Sequence, residues 1–279
     1  VLGMESLLAG IILEDEKMTS QKKAVIAIGG NSLVKDKDHQ SISDQYKAVT
    51  ETTKHIAGMI EQGWTVAIAH GNGPQVGFVL RRSEVAFKME GVPEVPLDYC
   101  GADTQGATGY MLQQNLYNEF LKRDITKNVA TIVTQVEVDK SDPAFQDPAK
   151  PIGSFMDEAE AMEKKENENW SVVEDAGRGW RRVVPSPLPK RVIEEASIAQ
   201  LINAGICVIT VGGGGIPVIR KEDGTLEGVA AVIDKDLAGE RLAEVVKADT
   251  YLILTDVPNV CINYATPQEK RLGKTSYEE

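Results

Sequence analysis

The sequence predicts an α/β fold built on a largely parallel sheet. Short, continuous apolar segments alternate along the chain with longer segments of helical periodicity. Such alternation is typical of strands joined by right-handed helical crossovers. Three of the apolar segments end in glycine-rich turns. Because ligands of parallel sheets bind beyond the carboxyl ends of the strands, these turns mark the expected ligand site.

Five elements are predicted in the first half of the chain. The apolar segment 24–28 (AVIAI) is a strand buried on both faces, and residues 45–62 form an amphipathic helix that ends at Gly63. A second buried strand spans residues 64–69, and a helix spans residues 103–123. A third strand is predicted over residues 129–138.

The second half continues the pattern after one interruption. Residues 190–203 and 236–246 have helical spacing, whereas residues 206–211 and 250–255 are predicted strands. Residues 139–189 are rich in proline and charge, but they include enough Ile, Phe, Trp and Val for a small core. A structureless loop of that length is unusual inside a domain. We therefore expect residues 139–189 to form a small inserted subdomain, here called the lid.

Composition excludes several function classes. Lys and Arg number 30 against 42 Asp and Glu in 279 residues, so the net charge is −12 and a basic surface for nucleic acid is not expected. The three Cys form no CxxC pair and the three His form no HExxH motif. This argues against a disulfide framework and a zinc hydrolase, and it favours a reducing, cytoplasmic compartment. No apolar segment approaches the ~20 residues of a membrane span.

Three glycine-rich turns are predicted to bind anions: Gly29-Gly30-Asn31, Gly71-Asn72-Gly73 and residues 212–215. Glycine permits positive φ and brings backbone N–H groups close to a ligand, and a following helix N-terminus adds partial positive charge. Neither standard nucleotide motif is present. The spacing after Gly71 is GxGxxxG, and the GKT segment at 273–275 has Gln268 where a P-loop requires its first glycine. The phosphate site must therefore be built differently.

Several charged residues could serve phosphoryl transfer. Lys235 stands between Asp234 and Asp236 at a helix start, where a lysine can neutralise a transferring phosphoryl group and an aspartate can hold the lysine or bind Mg²⁺. Lys150 is a second candidate cation on the lid. The arginines at positions 178, 181 and 182 are either further cations or partners of nearby acids, and both interpretations stay open. His70 is interpreted as a turn or capping residue rather than a catalyst.

Eight segments carry a family resemblance: AIGGN (27–31), HGNGPQVG (70–77), CGADTQG (100–106), KPIG (150–153), EDAGRGWRRVVPSP (174–187), GGGGIPV (212–218), AVIDKDLA (231–238) and LTDVPNVCINY (254–264). In this order they resemble the carbamate kinases, a branch of the amino-acid kinase family. AIGGN alone is typical of the wider family, which includes acetylglutamate, aspartate and uridylate kinases. HGNGPQVG, RGWRRVVPSP and IDKDLA single out the carbamate kinases.

The resemblance implies a three-layer αβα sandwich, the amino-acid kinase fold, over residues 22–279, with residues 139–189 as its protruding lid. It also implies reversible phosphoryl transfer between ATP and carbamate, giving ADP and carbamoyl phosphate, by a homodimer that uses Mg²⁺. The expected role is ATP formation from carbamoyl phosphate in the catabolism of arginine or related nitrogen compounds.

Individual roles follow from the same resemblance. Lys235 would stabilise the phosphoryl group, Asp234 and Asp236 would position the lysine and the metal, and Lys150 would close over carbamoyl phosphate. The phosphoryl and carbamate oxygens would be held by Gly29, Gly30, Asn31, Gly71, Asn72 and Gly73, and the nucleotide by Gly213, Gly214, Thr255, Asp256 and Val257. No protein metal ligand is assigned, since the nucleotide would carry Mg²⁺ with Asp236 as the one candidate contact.

Three departures from the family pattern affect these expectations. The lid reads KPIGSFM where the family has KPIGPFY, so lid contacts are expected to differ. Residues 1–21 are expected to be an extension or residues foreign to the natural chain. The family continues past Glu279 with a loop that reaches the nucleotide, so a C-terminal part is expected to be missing. Two alternatives stay open: a sibling kinase acting on an amino acid or nucleotide, and a non-catalytic ligand-binding protein.

Overall fold

The computed structural model describes residues 21–29, 33–34, 39–174, 179–255, 259–263 and 266–276. The helices of these residues are α1 (Ile42–Glu61), α2 (Gly73–Glu90), α3 (Leu97–Lys122), α4 (Glu158–Asn167), α5 (Glu195–Asn203) and α6 (Lys235–Val246). The strands are β1 (Lys23–Ile28), β2 (Thr65–His70), β3 (Val129–Thr131), β4 (Gln135–Val138), β5 (Lys150–Met156), β6 (Ser171–Glu174), β7 (Trp180–Val184), β8 (Pro189–Val192), β9 (Cys207–Ile209), β10 (Ile216–Arg220), β11 (Leu226–Gly228), β12 (Thr250–Leu254), β13 (Cys261–Ile262) and β14 (Lys270–Arg271). Single 3₁₀ turns lie at Pro143–Phe145 and Gly212–Gly214.

The central sheet has five strands in the order β12-β1-β2-β9-β3, and every neighbouring pair is parallel. Alternate residues of each strand point to opposite faces of the sheet, and helices pack on both faces to bury them. Val25 packs in a cluster with Leu242 of α6, whereas Ile26 packs in another cluster with Val49 of α1 and Leu112 of α3. The predicted α/β fold, with its parallel sheet and three layers, is confirmed.

A second, mixed sheet joins the same core, with the order β11-β10-β4-β8. Its buried valines Val136 and Val192 belong to the cluster that contains Leu242. The hairpin β10–β11 was not expected from the sequence, and neither was helix α2, whose first turn contains Pro74. Proline is tolerated there because the first helical N–H groups have no partner within the helix.

The prediction of one strand over residues 129–138 is wrong. β3 lies in the central sheet, and β4 lies in the mixed sheet. The break between them has a physical cause at Thr134. The side chain of Gln105 accepts a hydrogen bond from the N–H of Thr134 (2.8 Å) and donates one to its carbonyl (3.0 Å), so a continuous ladder cannot form there.

The prediction of one helix over residues 190–203 is also wrong. Residues Pro189–Val192 form β8, which runs antiparallel to β4 with Val192 opposite Val136, and α5 begins at Glu195. Val192 and Ile198 enter one buried cluster from two different elements. The predicted helical face, which began at Val192, therefore combined a strand residue with residues of α5 such as Ile202.

Residues of the predicted lid form a three-stranded antiparallel sheet, β5-β7-β6, and helix α4. The lid packs on α2 at a backbone contact, where a Cβ added to Gly77 would lie 2.7 Å from Cα of Gly153. Nearby, the buried Lys164 lies 3.6 Å from Glu84 of α2 and 4.0 Å from the ring centre of Trp170. The boundaries 139–189 stay a prediction. Among the helices of the described ranges, none is long and apolar enough to cross a membrane.

Candidate active site

Strands β1, β2 and β12 end side by side at one edge of the central sheet. Ile28 of β1 is paired with His70 of β2 and with Leu254 of β12. The N–H of Gly29 donates to the carbonyl of Leu254 (3.1 Å), and the N–H of Gly71 donates to that of Ile28 (2.8 Å). In parallel sheets such carboxyl edges are where ligands bind, at the point where the strand order reverses. That point lies between β1 and β12 here, because β2 follows β1 on one side and β12, the last strand of this sheet along the chain, lies on the other.

The N-terminus of α2 opens toward this edge without a side-chain cap. Asn72 is the N-cap residue, but its Nδ2 donates to Oγ1 of Thr104 (2.9 Å), and its side chain makes no hydrogen bond to the first turn. Gly73 and Pro74 follow, of which Pro74 has no N–H group. An 18-residue helix with an uncapped N-terminus carries partial positive charge and N–H donors that suit phosphate oxygens.

The start of α6 gathers two lysines and two aspartates. Asp234 is the N-cap: its Oδ1 accepts from the N–H of Asp236 (2.9 Å), and its Oδ2 accepts from Nζ of Lys150 (2.8 Å). Nζ of Lys235 donates to Oδ1 of Asp236 (2.6 Å). Burial by itself would raise the pKa of Asp234, but the hydrogen bond and positive charge of Lys150 and the backbone N–H groups hold that pKa below its usual value. The carboxylate is therefore ionised near pH 7.

Tyr251 also stabilises the start of α6. The hydroxyl of Tyr251 on β12 donates to the backbone carbonyl of Asp236 (3.0 Å). Burial, together with the charges of Asp236 and Asp234, raises the pKa of Tyr251 above its usual value. The phenol therefore keeps its proton and acts as a fixed hydrogen-bond donor beside the two aspartates.

The glycine turn after β9 connects the two groups of residues. Gly213 has a φ of 65°, and a Cβ placed on it would lie 2.0 Å from Nδ2 of Asn72. Gly214 has a φ of 88°, and a Cβ placed on it would lie 2.5 Å from the carbonyl oxygen of Ile233, the residue before Asp234. Only glycine fits such close approaches at positive φ. The turn therefore brings the N-terminus of α2 and the start of α6 into one site.

His70 is buried behind this turn. Its Nδ1 lies 3.1 Å from the carbonyl oxygen of Gly71, and a Cβ added to Gly212 would lie 2.5 Å from its Nε2. Burial lowers the pKa of His70 to about 4, so its ring is neutral near pH 7. The ring fills space against the turn, in agreement with its interpretation as a turn residue.

The structure brings together most of the residues that the sequence singled out: Gly71, Asn72, Gly73, Gly213, Gly214, Lys150, Asp234, Lys235 and Asp236. Thr255 is exposed at the end of β12, which two strands separate from β9. Gly213 and Gly214 therefore contact residues predicted for the phosphoryl side rather than Thr255. Gly30, Asn31, Asp256 and Val257 lie outside the described residues, as does Arg178.

The two remaining arginines lie on the lid. Arg181 donates to the carbonyl of Gly153 (3.1 Å), and Arg182 lies 4.4 Å from the ring centre of Trp170. Burial lowers the pKa of Arg182, which nearby acids partly offset. Arg182 thus packs with the lid and α2, not with Lys150 or Lys235.

Three residues that the sequence did not single out support the site: Gln105, Thr134 and Thr210. Gln105 lies within the CGADTQG segment, which counted toward the resemblance without a role of its own. Its position in the sequence could have identified Gln105 as a supporting residue. It lies on the apolar face of α3, four residues before Gly109 and seven before Leu112, where a polar side chain needs hydrogen-bond partners.

Asp236 is the carboxylate beside Lys235 that could contact a Mg²⁺ ion carried by a nucleotide. Within the part of the chain that the structure describes, no group of three His, Cys, Asp or Glu could hold a metal ion. Asp236 has one carboxylate oxygen on Lys235 and a side chain that is 43% exposed. Mg²⁺ is commonly bound by one or two carboxylates together with substrate phosphates.

The chain is similar to several known proteins in sequence and in structure. The profile of the amino acid kinase family matches residues 22–279. A carbamate kinase of Thermococcus kodakarensis is 52% identical over 259 residues, which are 92% of this chain and 82% of that protein. The carbamate kinase-like protein YahI of Escherichia coli is 50% identical over 251 residues, 90% of this chain and 79% of that protein. The structure of a carbamate kinase from Giardia lamblia bound to AMP-PNP superposes with a TM-score of 0.81 at 42% identity, covering 91% of this chain and 80% of that one.

Proposed function

Because the chain belongs to the amino acid kinase family and, within it, to the carbamate kinases, we propose that it catalyses reversible phosphoryl transfer between ATP and carbamate, giving ADP and carbamoyl phosphate. This proposal rests on one observation: two lysines held at the start of α6 lie in the same site as the uncapped N-terminus of α2. Lys150 and Lys235 are each paired with an aspartate at the start of α6, and the glycine turn links that start to Asn72.

These groups meet what phosphoryl transfer demands. In the direction of ATP formation, a β-phosphate oxygen of ADP attacks the phosphorus of carbamoyl phosphate, and the bond from phosphorus to the carbamate oxygen breaks. The nucleophile is already an anion, so no general base is required, and the buried, neutral His70 needs no part in proton transfer. What the reaction needs is alignment and charge stabilisation, which account for most catalysis of this class.

Each side chain then has a distinct task. The N-terminus of α2, with Gly71, Asn72 and Gly73, holds the phosphoryl and carbamate oxygens. Lys235 neutralises the phosphoryl group in transit, and Lys150 closes over carbamoyl phosphate. Asp234 holds Lys150 at 2.8 Å, and Asp236 holds Lys235 at 2.6 Å, so both ammonium groups are placed before substrate arrives.

The nucleotide is proposed to occupy the edge beyond β1 and β12. Thr255 is exposed there, and Gly29 lies beside it at the end of β1. Gly213 and Gly214 contact Asn72 and Ile233, so their place is beside the phosphates of the nucleotide rather than its base. AMP-PNP bound to the Giardia lamblia relative supports ATP as the phosphoryl donor. Mg²⁺ carried by the nucleotide would neutralise its phosphate charge, with the second carboxylate oxygen of Asp236 as the proposed protein contact.

The homodimer is proposed through the outer face of α3. Tyr110, Tyr117 and Leu121 lie on that face and are each more than half exposed, an apolar stripe of the kind that marks interfaces. A second copy would place the same stripe against itself about a twofold axis. We expect Tyr117→Glu to shift the sedimentation of the protein to that of a monomer, whereas Leu188→Glu, at an equally exposed site elsewhere, leaves it unchanged. A wild-type monomer at micromolar concentration would contradict the dimer.

The cellular role follows as a further part of the proposal. We place the enzyme in the cytoplasm, making ATP from carbamoyl phosphate during the catabolism of arginine or related nitrogen compounds. Residues 139–189 act in it as a lid on the domain spanning 22–279.

A coupled assay for ATP formed from ADP and carbamoyl phosphate tests the activity directly. We expect turnover with Mg²⁺, and Lys235→Ala should lower kcat by several powers of ten, because a group of this kind contributes roughly 3–5 kcal/mol to the transition state. The control is Lys221→Ala, which removes an exposed lysine paired with Glu227 at 3.4 Å. Near-normal turnover in Lys235→Ala would remove that residue from the mechanism.

A substrate panel distinguishes the alternatives. Phosphorylation of acetylglutamate or UMP without activity on carbamoyl phosphate would identify a sibling kinase. ADP binding in calorimetry without turnover on any of these substrates would favour a ligand-binding protein.

A further inference from the structure

A buried carboxamide on α3 joins three segments behind the site. Gln105 is 1% exposed, and its Nε2 donates to the carbonyls of Gly212 (2.9 Å) and Thr134 (3.0 Å). Its Oε1 accepts from the N–H of Thr134 (2.8 Å). Both donor hydrogens and the acceptor of the side chain are therefore used on backbone groups. A buried amide satisfied in this way fixes its neighbours, because each lost partner leaves an unpaired polar group.

Thr134 extends this contact to the start of the glycine turn. Its Oγ1 lies 2.7 Å from Oγ1 of Thr210 and accepts from the N–H of Val211 (3.1 Å). Val211 has a φ of 52°, a left-handed conformation that is costly for a β-branched residue and persists only where its surroundings impose it. Thr134 holds the N–H of Val211, and Gln105 and Thr210 in turn hold Thr134.

The turn held in this way separates the two halves of the site. Its Gly213 lies against the carboxamide of Asn72, and its Gly214 lies against the carbonyl of Ile233, next to Asp234. Any displacement of the turn therefore changes the distance between the N-terminus of α2 and the start of α6.

We infer that Gln105 is a positioning residue for phosphoryl transfer, an inference that rests on the function proposed above. It touches no reacting atom. It fixes the 212–214 turn, and through the turn it sets the spacing between the anion-binding end of α2 and Lys235. A misplacement on the order of 1 Å between groups that act together costs roughly 10²-fold in rate.

The test is Gln105→Met, which keeps the volume of the side chain and removes its hydrogen bonds. We expect kcat to fall about 10²-fold while the KM for carbamoyl phosphate, which the N-terminus of α2 binds, changes less than threefold. The matched control is Asn115→Leu, also on α3, whose carboxamide bonds the carbonyl of Met111 (2.8 Å) and the hydroxyl of Thr50 (2.7 Å) away from the turn. It should lower the melting temperature and leave kcat unchanged.

Three outcomes decide the matter. A kcat within threefold of wild type in folded Gln105→Met overturns the inference, as does an equal loss of kcat in Asn115→Leu, which would mean that destabilisation alone is responsible. If Gln105→Met does not fold, Gln105→Asn replaces it, since the shorter side chain keeps a polar group but withdraws it from Gly212 and Thr134. A normal kcat in that variant also overturns the inference. Failure of the proposed function is seen separately, as absence of turnover in the wild type.

Discussion

Removing Lys150 from its pair with Asp234 should affect catalysis much more than it affects stability. Lys150 begins β5 on the lid, and its Nζ lies 2.8 Å from Oδ2 of Asp234. The two side chains are 33% and 37% exposed, so the pair is partly solvated and its loss should cost stability only about 1 kcal/mol. If Lys150 also stabilises the developing charge on the phosphoryl group, its loss should cost about 2.7–4 kcal/mol in the transition state. Lys150→Met should therefore lower kcat by about 10²–10³-fold.

The assay is coupled ATP formation, run beside urea unfolding of the same preparations. The matched control is Lys190→Met, because Lys190 makes a comparable pair with Asp139 at 3.1 Å and is not a residue of the candidate site. We expect the control to show the small change in the free energy of unfolding without the fall in kcat. A Lys150→Met enzyme with kcat within threefold of wild type would refute the catalytic role and leave only a tie between lid and α6. A loss of stability above about 3 kcal/mol would refute the solvated-pair argument.

Two further predictions concern stability. Because burial lowers the pKa of His70 to about 4 from the usual 6.5, the unfolded state binds a proton that the native state does not. The contribution of His70 to the free energy of unfolding is therefore fully present above pH 6.5 and is lost as the pH falls toward 4. Urea unfolding should show a decrease of about 2 kcal/mol between pH 8 and pH 5. His70→Asn should flatten this dependence, and an unchanged slope would show that another group causes it. Gly77→Ala should lower the free energy of unfolding by about 1–3 kcal/mol, because its methyl group meets the backbone of Gly153, whereas Gly101→Ala, with open space around it, should be neutral or stabilising by up to about 1 kcal/mol. Equal effects in the two glycine variants would contradict the tight contact.

Much of the fold was accessible from the sequence, because the buried strands of a parallel sheet are continuous apolar segments. The segments at β1, β2, β9 and β12 stand out for this reason, and the glycines after them locate the carboxyl edge. Prediction failed where a side chain from elsewhere in the fold decides the backbone. The break between β3 and β4 depends on Gln105, some 30 positions away, and no local pattern encodes it.

The candidate site, too, was only partly predictable from local sequence. Lys235, between two aspartates at a helix start, could be identified from local sequence alone. That Lys150 reaches Asp234 could not, since the two residues lie 84 positions apart and meet only when the lid packs on α2. The place of Gly213 beside Asn72 likewise depends on the order of β9 and β2 in the sheet, which periodicity does not specify.

The position of β1 in the sheet also determines how the chain can fold. β1 pairs with β2, which follows one helix later, and with β12, whose partner residue for Ala24 is Thr250. At the same end of β1, the N–H of Lys23 bonds the carboxylate of Asp249, 226 positions further along. During synthesis one edge of this apolar strand stays unpaired until nearly all of the described chain has been made. Folding should accordingly be slow, as is general for sheets with such distant pairings, and the open edge of β1 is the point at which a partly made chain is most exposed to aggregation.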